Sequence, residues 1–244
     1  MRPKSLFLKG VRAGLVPTAS SPVRPAAYGL PMTSMDLVAF DLAWDRLESW
    51  LVANSPADHA ALRPPAAAVE LTELEGHLGF ALHPALRRLL ERRNGVAEPE
   101  RDSGSEPGVF PAGGILPLGH RLISTTEVAE MHKILVDVGE DNAEAEFWDE
   151  EDLAGHLHQC VPFAVPNDGG FAFIDHRPGP TYGQIFEMGI GSGDLEGTFW
   201  GSHLTEFVGA ISDALETGGP FKYYWPTTFE HSSGRTCVEW EVRA

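Results

Sequence analysis

Apolar residues recur at helical spacing in five stretches of the chain and gather into short β-rich runs in another. Leu37, Phe40, Trp44, Leu47 and Leu51 fall on one side of a 3.6-residue wheel, with Asp41, Asp45 and Glu48 elsewhere on it. They predict a helix from about Asp36 to Val52, with Ser34 as N-cap and Asn54-Ser-Pro as its end. Val69, Leu71, Leu74 and Leu78 predict a second helix, stopped by Gly79. Pro84, a residue favoured in a first helical turn, opens a third that carries Leu86, Leu89 and Leu90 inward and ends at Asn94-Gly95. Ser124-Thr-Thr-Glu127 has the spacing of a capping box, and the helix it starts holds Val128, Met131, Leu135 and Val138 on one side. A fifth, capped by Ser202, packs Leu204, Phe207, Val208, Ile211 and Leu215 and stops at Gly218-Gly-Pro. Between the last two helices the period changes. Val161–Val165, Phe171–Asp175 and Thr181–Met188 are short β-rich runs separated by the turns Asn167-Asp-Gly-Gly and Arg177-Pro-Gly-Pro. Connections this short permit only antiparallel pairing, so residues 161–188 are expected to form a β-meander.

The remaining segments are less periodic. Gly114–Gly119 reads as a short strand, and its proline places it at an edge. Phe221–Trp225 and Arg235–Val242 supply one more short strand. Residues 55–67 read as a Pro/Ala-rich linker, Glu98–Gly108 as a polar loop and Gly189–Gly201 as a Gly-rich loop. Residues 1–34 are rich in Pro, Ser, Gly and Ala without periodicity and read as a disordered leader. Lys9 and Arg12 interrupt what would be the apolar core of a signal peptide. The expectation is a single α+β domain over residues 35–244, with an antiparallel β-sheet of about four to six strands flanked by helices.

Composition changes this picture little, and charge changes it more. Apolar content of 43% and charged content of 22% are ordinary for a soluble globular chain. No run of 18 apolar residues marks a membrane span. Cys160 and Cys237 are the only cysteines, which fits a reducing, cytoplasmic compartment. The net charge is −17, but residues 1–35 hold five basic residues and no acid, so the rest carries 13 Lys and Arg against 35 Asp and Glu. No Lys or Arg occurs between Lys133 and Arg177. Such a body lacks the cations that phosphate contacts need, which argues against nucleic acid and anionic membranes and favours a basic protein partner.

Candidate chemistry is sparse. His156, His158 and Cys160 would share one face of a strand and are suitable zinc ligands by type, but three alternate strand positions span about 13 Å, too far for one ion. No nucleophile elbow or phosphate loop occurs, although chance carboxylate pairs leave a zinc- or carboxylate-dependent hydrolase as a remote alternative. No cofactor is expected. The strongest functional candidate is the acidic, aromatic stretch Glu144, Glu146, Phe147, Trp148, Asp149, Glu150, Glu151 and Asp152. An aromatic anchor ringed by carboxylates suits an interface, where rim charge steers a basic partner and raises its on-rate. Asp168 and Asp175, at strand ends of the meander, are the further contributors.

The order of landmarks resembles the SUKH superfamily, which includes fungal cell-wall assembly regulators and many bacterial immunity proteins. The resemblance rests on Trp44 in the first helix, on Leu71-Thr-Glu-Leu-Glu-Gly-His-Leu-Gly, and on His83-Pro-Ala-Leu-Arg-Arg-Leu-Leu-Glu-Arg-Arg-Asn-Gly. The Ile115–Leu118 run, the helix after Ser124, Val161-Pro-Phe-Ala, the strand ending at Asp175, and Leu204-Thr-Glu-Phe-Val complete it over about residues 36–217. Asp168-Gly-Gly runs straight into Phe171, where the family's turn is usually longer in glycine with an acid after it. The resemblance implies a non-enzymatic immunity protein that binds a cognate toxin domain, with a regulatory or scaffolding interaction protein as the alternative.

Overall fold

The computed structural model describes residues 34–97, 112–143, 153–166, 169–189, 197–231 and 234–243. Among them run helices α1 (Ser34–Asn54), α2 (Pro56–Ala61), α3 (Ala68–Leu78), α4 (Pro84–Arg92), α5 (Thr125–Ala143) and α6 (Leu204–Thr217). Strands β1 (Arg121–Leu122), β2 (Cys160–Val165), β3 (Phe171–Asp175), β4 (Ile185–Met188) and β5 (Thr198–Gly201) form one antiparallel sheet in sequence order. Strands β6 (Tyr224–Glu230) and β7 (Thr236–Val242) form a separate two-stranded hairpin. The architecture is α+β, with the expected meander at its centre. Val161 pairs with Ile174, Phe173 with Phe186, and Ile185 with Gly201.

The strand period explains how this sheet lies between two layers. Successive side chains of β3 point to opposite faces. Ala172 and Ile174 enter the main core with α1, α3, α4 and α6, while Phe171 and Phe173 enter a smaller core with Leu135 of α5 and Leu153 and Leu157. All five residues of β3 are buried as a result. The stripe predicted for α1 closes the main core: Phe40, Trp44, Leu47 and Leu51 are at most 1% exposed and face α6. Burying side chains of this size contributes about 1.5–3 kcal/mol each. A carboxylate ladder then fixes α1 on α4. Asp41 takes both Nε and Nη2 of Arg88 at 2.9 and 2.8 Å, Arg92 reaches Asp45, and Arg93 reaches Glu48. Hydrogen bonding to the Arg88 guanidinium holds the Asp41 carboxyl below its ordinary range.

Several local expectations are corrected, some of them by contacts distant in sequence. Residues 55–67 are not a plain linker. They contain α2, and Leu62 bridges to Val96. Asp58 in α2 is the reason: this 1%-exposed carboxylate accepts from Ser55 Oγ, from Gly113 N at 2.5 Å and from Val238 N at 2.6 Å. Helix α4 stops at Arg92, before Asn94-Gly95. Asn94 instead accepts the Thr125 N–H at 2.8 Å, and Gly95 sits where a Cβ would lie 2.4 Å from the Ile123 carbonyl carbon. Residues 114–119 are not a strand, because Pro117–Gly119 is a 3-10 turn closed by the Leu116–His120 bridge. Thr181–Gly183 turn before β4 starts, and the expected loop up to Gly201 ends in β5. Helix α6 is capped by His203, whose Nδ1 accepts the Glu206 N–H at 3.2 Å, in place of Ser202. Helix α1 includes Ser34. The expected final strand is a hairpin of two seven-residue strands, tied down by Asp58 and by Trp240 Nε1 donating to Ile115 O at 3.1 Å. The leader 1–33 and the Glu98–Gly108 loop lie outside the described residues.

Candidate functional site

The acidic, aromatic stretch is bracketed by two elements that pack on each other. Upstream, α5 begins with the predicted capping box: Ser124 N and Oγ both donate to Glu127 Oε2, at 2.9 and 2.8 Å, and Glu127 N donates back to Ser124 Oγ at 3.3 Å. Arg121 adds an ion pair to Glu127 at 2.8 Å. The helix buries Val128 and Leu135 and turns Ile134 and Asp137 outward. Downstream, Leu153–Gln159 form a 3-10 segment that lays Leu153 and Leu157 against α5. Glu144, Glu146, Phe147, Trp148, Asp149, Glu150, Glu151, Asp152 and Asp168 lie outside the described residues.

Asp175 is described, and it is not on the surface. It is fully buried at the end of β3, and its carboxylate takes Arg177 Nε and Nη2 at 2.9 and 2.7 Å and the Arg177 amide at 2.8 Å. This side chain fixes the turn after β3, and any partner that touched it would first have to displace Arg177.

His156, His158 and Cys160 do not share a strand face. The two histidines occupy the 3-10 segment, with ring centres 6.2 Å apart, and Cys160 is the first residue of β2, its thiol against the His156 carbonyl. Among the described residues no cluster of three His, Cys, Asp or Glu side chains is gathered as a metal would require. Both thiols are poor nucleophiles. Burial pushes the Cys160 thiol far up, and burial together with Asp58 pushes Cys237 up to about 11.

The sequence reading missed a run of imidazoles between the layers. His77, His132, Phe80, His176, His83 and Tyr182 touch in turn, with neighbouring ring centres 5.0–6.3 Å apart. His132 Nε2 donates to the His158 carbonyl at 2.8 Å. His83 is the N-cap of α4, and a histidine directly before Pro84 was the one sequence signal available for it.

Surface charge completes the geometry. Arg46, Arg87, Arg88, Arg92, Arg93, Arg121, Lys133, Arg177 and Arg243 each bind a carboxylate. Most described cations are therefore paired with carboxylates, in a chain that carries 35 Asp and Glu against 18 Lys and Arg. Among the described residues, no helix is long and apolar enough to cross a membrane.

No curated protein matches the chain. The family model of the SMI1 / KNR4 family (SUKH-1) matches residues 65–209, from just before α3 through the meander into α6, which is more than half of the chain. On that match, and with the five-stranded meander between its helices, the chain belongs to the SMI1 / KNR4 family (SUKH-1).

Proposed function

We propose that this protein is a non-catalytic, cytoplasmic immunity protein that binds a basic toxin domain and blocks it by occupancy. Family membership supports a non-catalytic immunity or regulatory domain. The observation that carries the finer reading is the charge balance. A body with 13 Lys and Arg against 35 Asp and Glu spends most of its described cations on internal pairs, so a long-range negative field remains for a partner. Such a field raises the encounter rate with a basic surface and repels nucleic acid. Glu144, Glu146, Asp149, Glu150, Glu151 and Asp152 supply the rim, and Phe147 and Trp148 the anchor. Carboxylates in this density imitate the phosphates that a nuclease-type toxin binds.

The test pairs capture with kinetics. Affinity purification from the native host is expected to recover a basic toxin-like protein, and co-expression is expected to rescue cells from that toxin. Charge reversal at Asp149, Glu150 and Asp152 is expected to slow association at least tenfold in 50 mM salt and to flatten its salt dependence. Recovery of a host protein that is no toxin, with no rescue, would place the chain among regulatory members of the family instead.

A further inference from the structure

The end of β3 and the start of α4 are joined by two imidazoles, His176 held between two backbone groups and His83 bonded to a third. His176 Nδ1 donates to the Ile174 carbonyl at 2.9 Å, and its Nε2 accepts the His83 N–H at 2.9 Å. His83 Nδ1 accepts the Ala85 N–H at 3.3 Å. A carbonyl only accepts and an amide only donates, so His176 is fixed as the neutral Nδ1–H tautomer and His83 carries no proton on Nδ1. The rings are 3% and 6% exposed. The 176–184 turn covers them: the Tyr182 ring lies 5.0 Å from His83 and 6.1 Å from His176. Gly183, at φ +88°, comes so close that a Cβ there would lie 2.7 Å from His83 Nε2.

The groups around the pair offer a proton little compensation. His83 meets His176 and Tyr182 from the turn and His203 from the cap of α6. Arg87, one turn along α4, is paired with Glu75 and Glu91. His176 meets Asp175, already held by Arg177, and His132 of α5. Glu206 stands in the first turn of α6, next to His203.

We propose that this junction is an acid-triggered hinge, in which His83 and His176 take up protons together as the 176–184 turn swings off the start of α4. An imidazolium has N–H on both nitrogens. A proton on His176 Nε2 would face the His83 N–H, and one on His83 Nδ1 would face the Ala85 N–H at a helix N-terminus, where the dipole also opposes positive charge. Neither ring can charge without releasing its amide. Burial, with the neighbouring histidines, pulls His83 down to about 4, and burial pulls His176 down to about 4. In the open form both return to the ordinary imidazole range near 6.5. Between those limits the open form binds two more protons than the closed form. Its population therefore rises as pH falls, by up to about 100-fold per pH unit, where one titrating group would give about tenfold. Opening uncovers the rings of Phe80, His83 and Tyr182.

Amide hydrogen exchange on the full chain between pH 7 and 4.5 tests this. Protection of the His83 and Ala85 amides, corrected for intrinsic exchange, is expected to fall by more than tenfold per pH unit while the Phe173 amide of β3 stays protected. In His176→Gln, whose amide can still accept and donate but does not titrate, the slope is expected to drop to tenfold or less. His83→Asn, which keeps an N-cap acceptor, provides the same comparison if His176→Gln does not fold. Loss of protection in step with Phe173, a wild-type slope of tenfold or less, or an unchanged slope in both variants overturns the hinge.

Discussion

At the scale of single residues, the side chain with the widest reach is Asp58. One buried carboxylate takes a hydroxyl and two backbone N–H groups from segments that begin 55, 113 and 238 residues into the chain. These donors, with the Cys237 thiol beside them, stabilise its charge in the buried site. Asp58→Ala leaves two buried amides unpaired and is expected to cost about 3–5 kcal/mol. Asp58→Asn is expected to cost nearly as much, because its NH2 group meets a donor where the carboxylate offered an acceptor. Urea unfolding of both variants checks this. Sparing of the Asn variant would mean that the latch depends on shape and not on acceptor number. None of this was legible in the sequence, where Asp58 is one acid among 35 in a Pro/Ala-rich stretch. Cys160 and Asp175 show the same limit from the other side. Their residue types suggested ligand and surface roles, yet both are fully buried.

At the scale of elements, legibility followed the range of the contacts. Helices α1, α3 and α5 were readable because their apolar stripes and the Ser124–Glu127 box are set within a few residues. The meander was readable because its turns are too short for any other pairing. Asn94-Gly95 misled for an instructive reason. Its glycine is required, at φ +74°, but by the approach of the Ile123–Ser124 backbone and not by the end of a helix. The hairpin was half seen, since β6 and β7 alternate weakly and are held by Asp58 and by the Trp240–Ile115 bond. The α5 cap offers a clean check at this scale. Ser124→Ala removes the Oγ–Glu127 reciprocity and is expected to lower stability by about 1 kcal/mol, read as a thermal midpoint shift of about 2–4 °C. Ser124→Asp, another good N-cap, is expected to recover less, because it sets a second carboxylate beside Glu127.

At the scale of the whole molecule, the family-matched segment and the cooperative unit are different things. The match spans residues 65–209, but the main core takes Phe40, Trp44, Leu47 and Leu51 from one side of it and Ile211, Leu215, Phe221, Tyr224 and Val238 from the other. Removing the four α1 side chains alone forfeits about 6–12 kcal/mol of burial, as much as a domain's entire stability. A fragment of residues 65–209 is therefore expected to show no cooperative thermal transition by circular dichroism, while a chain of residues 34–244 melts as one unit. The Asp58 latch extends the point to biosynthesis. A ribosome delivers Ser55 and Asp58 long before Val238, so the nascent α1–α2 segment carries a carboxylate whose final solvation shell does not yet exist. Until β7 docks, that shell lacks the Val238 N–H, so the Asp58 end of the molecule is expected to reach its native solvation only once the hairpin has formed.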